Sequence, residues 1–176
     1  MSEFKVVECT LERHGEAILD ILNTAIVSST ALYDYEPRKP ESMVTWFAAK
    51  AAGKFAVIGI ENEAGELMGF GSFGTFRAFP AYKYTVEHSV YVHENFRGLG
   101  LGKRLVELVI EAAKNQGKHA IIGAIDASNQ ASLKLHEGLG FKLVGTLPQV
   151  GFKFGRWLDL AFMQLTLDGP TDPQDG

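Results

Sequence analysis

Cysteine is almost absent from this 176-residue chain: Cys9 stands alone, so an intrachain disulfide and a cysteine-cluster metal site are both excluded, and the thiol reads as structural. No apolar run approaches the length needed to cross a bilayer. The opening residues Met1-Ser2-Glu3-Phe4-Lys5 also lack the basic segment and apolar core of a leader. Positive charge is not in excess either, with 17 Lys and Arg against 21 Asp and Glu and a net charge of −4. A nucleic-acid or membrane surface is therefore not the expected partner, and basic residues should act locally. Cytoplasmic location, no metal and no second domain are the simplest expectations. The length suffices for one domain with a core that needs no staples.

Glycine is plentiful, with 19 residues, and one run of it is placed to bind a ligand. Arg97-Gly98-Leu99-Gly100-Leu101-Gly102 lies between the apolar stretch Ser89-Val90-Tyr91-Val92 and a helical pattern from Lys103 to Asn115. Glycines at alternate positions let backbone N–H groups turn inward together, and the following helix adds free N-terminal amides and its positive dipole end. A diphosphate is expected there. Only Leu99, Gly100 and Leu101 separate Gly98 from Gly102, and Arg104 follows Lys103, so the spacing and the Lys-Ser or Lys-Thr of a P-loop are missing. A dinucleotide fingerprint would need a third glycine where Lys103 stands, early in a domain, and is excluded too.

The remaining pattern is an ordered alternation of elements. A short strand covers Phe4 to Glu8, and Thr10 caps a helix with Ala17, Ile18, Ile21, Leu22 and Ala25 on one face. A second helix is predicted from Glu41 to Ala52, with Val44, Phe47, Ala48 and Ala51 inward and Gly53 as its stop. Phe55 to Glu61 and Glu66 to Phe73 read as a hairpin around Asn62-Glu63-Ala64-Gly65, and Tyr84 to His93 alternates as another strand. His119 to Ile125 is a buried crossover strand. Asn129 to Leu139 is a helix with Ala131, Leu135 and Leu139 on one face; Leu143 to Leu147 and Leu158 to Leu167 close the fold, and residues 169–176 form a disordered tail.

Arg-x-x-Gly-x-Gly after a strand and before a helix resembles the acetyl-coenzyme A loop of the GNAT family of N-acetyltransferases, and the order of elements matches that family too. The segments Tyr84-Thr85-Val86-Glu87-His88-Ser89-Val90-Tyr91-Val92 and Pro148-Gln149-Val150-Gly151-Phe152-Lys153-Phe154-Gly155-Arg156-Trp157 are similar to its phosphinothricin and methionine sulfoximine N-acetyltransferase branch. The resemblance implies an α/β (α+β) fold, a mixed central sheet with splayed parallel strands flanked by helices, in one domain over residues 1–168. It implies acetyl-CoA as co-substrate without a metal, a small-molecule amine acceptor, and a homodimer. Pantetheine is expected between the splayed strands, held by the backbone of Val90, Tyr91 and Val92, with the pyrophosphate on Arg97, Gly98, Leu99, Gly100, Leu101, Gly102 and Lys103. Asn129, with Ser132 beside it, is expected to reach coenzyme A; helix capping is the other reading of both.

Acetyl transfer to an amine needs a base, a polarised carbonyl and a proton for the departing thiolate. Successive strand residues face opposite sides, so only one of Glu87 and His88 can face the cleft. The resemblance favours Glu87 as the base, leaving His88 as the alternate base or a supporting group. Many members of the broad family carry a tyrosine where His136 stands; by that resemblance an imidazolium there is expected to assist thiolate departure. For an acceptor with an anionic head, Arg77 and Lys153 are the candidate ligands, with Tyr33, Phe76 and Phe154 as walls and Glu87 at the amine. The expected reaction is direct transfer to the α-amine of glutamate-analogue amino acids such as phosphinothricin and methionine sulfoximine. Another amine, such as a polyamine, an aminoglycoside or a protein N-terminus, and a non-catalytic acyl-CoA-binding module are the alternatives.

Overall fold

Thr10 ends the first strand by turning its hydroxyl to the Arg13 N–H at 3.3 Å, and the chain goes directly into helix. The computed structural model describes residues 4–176; the part of the leader reading that rests on residues 1–3 lies outside them. In chain order the elements are β1 (Lys5–Glu8), α1 (Leu11–Ser28), α2 (Glu41–Ala52), β2 (Val57–Glu61), β3 (Leu67–Thr75), β4 (Thr85–Val92), α3 (Leu101–Asn115), β5 (Ala120–Asp126), α4 (Gln130–Gly138), β6 (Lys142–Lys153) and β7 (Arg156–Thr166). Short 3-10 turns occupy Pro80–Tyr82 and Glu94–Phe96. The strands form one mixed seven-stranded sheet of order β1-β2-β3-β4-β5-β7-β6. Among the described residues no helix is long and apolar enough to cross a membrane.

The chain's contacts divide into two units, and β4 contributes to both. One takes in residues up to Gly74 together with Ser89–Val109, the other Thr75–His88 together with Ile110–Gly176. In the first, β1, β2 and β3 are antiparallel, with Lys5 opposite Glu61 and Val57 opposite Ser72. Ile18, Ile21 and Leu22 of α1 pack with Met43, Val57, Leu67 and Phe70 in one cluster, and Leu101, Leu105 and Leu108 of α3 with Ile60 and Met68 in another.

Of the predicted inward face of α2, Phe47 packs against the core and the other three residues are one position out of register. Val44 is 58 % exposed and Ala48 and Ala51 are exposed, whereas Met43 is buried and Trp46 packs edge-on to Phe70 at 6.1 Å. Met43 and Trp46 offer more apolar area than valine and alanine, and burying them sets the roll of the helix. That roll also turns Lys50 inward, where its ammonium donates to the Phe73 carbonyl at 3.0 Å and lies 5.1 Å from the Trp46 ring. Burial lowers the Lys50 pKa to about 8.

In the second unit, β5 is antiparallel to β7 over its seven residues, Ala120↔Thr166 through Asp126↔Leu160. Its parallel ladder with β4 has three pairs, Thr85↔Ala120, Val86↔Ile121 and Glu87↔Ile122. β6 runs past Pro148, where the predicted strand ended, because a proline is tolerated on an edge strand and the register shifts between Leu147 and Gly151 absorb it. Phe154 and Gly155, at φ 52° and 73°, make the tight turn into β7. On α4 the predicted face is displaced as well: Ala131 is exposed and His136 is the buried residue. Beyond β7, the Gly169 carbonyl accepts from His119 Nδ1 at 2.8 Å, and Gln174 N–H donates to the Tyr84 hydroxyl at 2.9 Å.

Candidate active site

The glycine run leaves β4 through the turn at Glu94–Phe96, in which His93 Nδ1 accepts from the Asn95 N–H at 3.2 Å. Gly98 and Gly100 adopt φ of 78° and 77°, the left-handed region that side chains other than glycine rarely enter. A Cβ at either would touch nothing within 4 Å, so both glycines serve conformation, and the loop lies open. Helix α3 begins at Leu101, two residues earlier than predicted, and its first bond runs from Arg104 N–H to the Gly100 carbonyl at 3.2 Å. The N–H groups of Leu101, Gly102 and Lys103 therefore form the unpaired first turn that a diphosphate can accept from. Buried Leu101 and Leu105 seat that turn, while Arg97, Gly98, Leu99, Gly100 and Lys103 are exposed.

Val90, Tyr91 and Val92 are half-buried, with the Tyr91 ring packed 5.5 Å from Phe70, so any ligand role for them belongs to the main chain. Two residues missed in the sequence make this packing possible. A Cβ at Gly69 would lie 2.8 Å from the Tyr91 carbonyl oxygen, and one at Gly71 would meet Val109 at 2.8 Å and Val90 at 3.1 Å. Alternate glycines in a strand are the signal for such close approach. Tyr33, expected as an acceptor wall, is 39 % exposed in the segment between α1 and α2.

In the second unit the register sorts the candidate bases. Glu87 pairs with Ile122 and Ile122 with Gln164, so these three side chains share one face of the sheet, with Thr85 and Ala120 beside them. His88 takes the other face. A cavity of about 400 Å³ opens on the Glu87 face, floored by Thr85, Ala120, Ile122, Phe162 and Gln164 and walled by Phe76, Tyr82, Val144 and Leu147. Glu87 itself is half-buried, and burial raises its pKa above the ordinary carboxylate value. A carboxylate so placed is a stronger base when ionised.

His88 is buried, as is His136, and their rings are locked together on the opposite face. His88 Nδ1 meets the Ile122 carbonyl at 3.1 Å, His136 Nδ1 meets the Ser132 carbonyl at 2.7 Å, and the two Nε2 atoms are 2.9 Å apart. Both nitrogens of His136 are thus engaged within this unit, which removes the basis for expecting it as the donor to a thiolate. Asn129 caps α4, its side-chain oxygen accepting from the Ser132 N–H at 3.1 Å. Asp126 closes the turn before it, accepting from the Ser128 N–H and hydroxyl at 2.8 Å each, with Arg156 at 3.5 Å. An Asp two residues before a Ser-Asn helix start is the sequence signal for that turn.

Arg77 and Lys153, expected to hold an anionic acceptor, stand on different supports. Arg77 is exposed, its guanidinium 5.9 Å from the Tyr82 ring, and Tyr82 packs against Phe76 at 5.6 Å. Lys153 is only 3 % exposed, with its ammonium 5.0 Å from the ring of Phe154, which is itself exposed at the β6–β7 turn. Phe76 alone of the expected walls lines the cavity. Among the described residues no three His, Cys, Asp or Glu side chains converge as metal ligands would.

The chain belongs to the acetyltransferase (GNAT) family, whose model matches residues 18–141. It is an N-acetyltransferase. Over 151 residues it is 46 % identical to an L-methionine sulfoximine/L-methionine sulfone acetyltransferase of Pseudomonas paraeruginosa, covering 86 % of this chain and 88 % of that one. Over 157 residues it is 43 % identical to an L-amino acid N-acyltransferase of Escherichia coli, covering 89 % and 91 %. A phosphinothricin acetyltransferase of Sinorhizobium meliloti, solved in complex with acetyl-CoA, superposes with a TM-score of 0.93 at 30 % identity, over 100 % of this chain and 95 % of that one.

Proposed function

We propose that this enzyme transfers the acetyl group of acetyl-CoA directly to the α-amine of a small L-amino acid, with methionine sulfoximine, methionine sulfone and phosphinothricin as the first acceptors to consider. Support comes from the names of the similar enzymes and from one observation in this chain: the half-buried Glu87 carboxylate shares a face with the floor of an apolar cavity. The glycine run fits a coenzyme A diphosphate, since Gly98 and Gly100 expose backbone amides at the start of α3 and Arg97 and Lys103 add exposed positive charge. Bound there, acetyl-CoA supplies the thioester carbonyl.

Glu87, ionised, takes a proton from the acceptor ammonium and leaves the lone pair free to attack that carbonyl. Main-chain N–H groups of Val90 to Val92 stabilise the oxyanion, and Asn129 and Ser132 contact coenzyme A. As the new C–N bond forms and the C–S bond breaks, the sulfur leaves as a thiolate and the nitrogen gives up its second proton, which matches the one the thiolate takes up, while Glu87 returns its own to solvent. A free thiol titrates at about 8.5, so the proton it then takes can come from solvent. The cavity's Phe76, Tyr82, Val144 and Phe162 accept an uncharged side-chain stem, and Gln164 and Thr146 offer hydrogen bonds to a polar tip.

The chain acts in the cytoplasm as a homodimer in this reading; exposed Val144, Leu147, Val150, Phe152 and Trp157 on the β6–β7 hairpin supply apolar surface for a second copy. An acceptor screen with a thiol-release assay tests the activity, amino-acid analogues first. Acceptor-dependent release with methionine sulfone or phosphinothricin supports it, and release only with polyamines or peptide N-termini overturns the substrate class. Sedimentation as a monomer at micromolar concentration overturns the dimer.

A further inference from the structure

The proposed reaction uses neither of the two buried histidine rings behind Glu87, yet their geometry is demanding. A carbonyl oxygen only accepts, so His88 Nδ1, at 3.1 Å from Ile122 O, and His136 Nδ1, at 2.7 Å from Ser132 O, both carry N–H. With both rings neutral, the lone pairs of the two Nε2 atoms would face each other at 2.9 Å. One additional proton converts that repulsion into an N–H···N bond. We infer that His88 and His136 hold three protons on four nitrogens, one positive charge shared by two rings, and that this pair positions Glu87.

The position of the pair gives it that role. Glu87↔Ile122 is the last pair of the β4–β5 ladder, and the carbonyl at that end accepts from the His88 ring. The ring has its seat because residue 123 is glycine: a Cβ there would lie 2.9 Å from His88 Cε1. His136 holds the outer end of the ring from α4, and Phe141 packs on both rings, at 5.4 and 5.0 Å. Glu87 and His88 are consecutive and point to opposite faces, so anchoring one ring at both ends fixes the roll of the strand and with it the direction of the carboxylate.

The groups facing the rings are the two carbonyls, the Ser132 hydroxyl at 3.5 Å, Gly123 and Phe141. Of the ionisable residues on the supporting elements, Glu87 faces the other way, Asp126 is tied to Ser128 and Arg156, and Lys134, Glu137 and Lys142 are exposed. Burial lowers the pKa of His136 and so works against the shared proton, which the Ser132 carbonyl and the N–H···N bond hold in place; burial together with the neighbour's charge brings His88 down to about 4. A second additional proton is refused until then.

The positioning role rests on Glu87 being the base; the proton count does not, so it is measured first. Nitrogen-15 spectra of the full chain with labelled histidine, recorded at about pH 6, are expected to show three protonated nitrogens on this pair, losing the shared proton in one step as pH rises. Two neutral rings at that pH, or two independent titrations near the ordinary histidine value, overturn the shared proton whatever the enzyme acts on. Thiol release then tests the role. His136→Phe, which removes the anchor, is expected to lower kcat/KM by about tenfold or more, and Gly123→Ala, which displaces the ring, by a similar factor. His136→Gln, whose amide can donate to a neutral His88, is expected to recover most of that loss and to abolish the alkaline fall in kcat that release of the shared proton causes in the parent. Equal damage from Phe and Gln, or none from Phe or Ala, overturns the positioning role.

Discussion

Glu87 faces Ile122 as the last pair of the β4–β5 ladder, and through Ile122 it lies in one cross-strand row with Gln164. This row puts the carboxylate and the cavity floor on one face of the sheet and leaves the adjacent His88 on the other. On the proposed reading, the base and the floor of the acceptor pocket thus share one face through the strand register, with Phe76 and Tyr82 of the β3–β4 connection as walls.

With Glu87 as the proposed base, replacing that carboxylate should remove the base and little else. Glu87→Gln keeps the shape and is expected to lower kcat by about a hundredfold to ten-thousandfold, the range of general base catalysis, with a small effect on KM for acetyl-CoA. In the parent enzyme kcat/KM should fall as pH drops through the Glu87 pKa, which burial holds above the ordinary carboxylate value. A variant that retains full kcat in the thiol-release assay would show that the proton goes elsewhere.

The glycine run gives a prediction of opposite character. Gly98→Ala and Gly100→Ala meet no neighbour, so their cost is the left-handed backbone alone, on the order of 1–2 kcal/mol if the loop keeps its shape. Relaxation of the loop should raise KM for acetyl-CoA by about tenfold with kcat at saturation nearly unchanged, because the role proposed for the loop is to hold the diphosphate and not the reacting atoms. An unaltered KM in both variants would detach the loop from coenzyme A.

These two sites were read from sequence with unequal ease, for a physical reason. The glycine run is local: only residues 93–100, with the turn requiring positive φ, separate the end of a strand from a helix start, and each leaves its mark in residue type. The alternation that puts Thr85 with Glu87 and against His88 is equally local. What stayed hidden was set by distant partners. The roll of α2 follows from Trp46 meeting Phe70, the pairing of His88 with His136 spans two elements, and the burial of Lys153, a candidate ligand by charge alone, comes from its place on β6, which runs through Pro148. Gly123 is the instructive case: a glycine within a buried apolar strand signals close approach, and only the structure shows that a histidine ring approaches it.

His88 should also mark the acid stability of the fold. Beside the charge already shared with His136, its pKa is about 4 in the folded chain against about 6.5 unfolded, so between these values the unfolded chain binds a second proton that the folded pair refuses. Stability present above pH 6.5 is expected to be lost as pH falls toward 4, by on the order of 3 kcal/mol. Urea unfolding at pH 7 and pH 4.5 measures it, and a His88→Asn variant with the same pH dependence would remove His88 as the cause.

Lys50 makes the same argument at the alkaline end. Burial lowers its pKa from 10.5 to about 8, so between these values the unfolded chain holds the proton that the folded chain has released. Stability should increase as pH rises from about 8 toward 10.5, against the general decline expected when other groups titrate. Lys50→Met, which keeps the apolar stem against Trp46, should abolish the increase; an identical slope in the variant would place its origin elsewhere.

The buried carboxylate of Glu61 supplies the sharpest stability test. Its two oxygens accept from Arg13 at 2.7 Å and from His14 Nε2 at 2.9 Å, while His14 Nδ1 accepts from the Thr10 N–H at 3.0 Å, fixing which nitrogen carries the proton. Glu61 is 2 % exposed and Arg13 56 %, so His14 is the partner that shares its burial. His14→Leu strands the carboxylate with one half-exposed cation and is expected to cost about 3 kcal/mol in urea unfolding. Adding Glu61→Leu removes the stranded charge and should recover part of that loss, because an apolar replacement for a whole buried pair is often close to neutral. If the double variant is instead less stable than His14→Leu by the full cost of Glu61→Leu alone, the two side chains are not coupled and the pairing contributes nothing to holding α1 on β2.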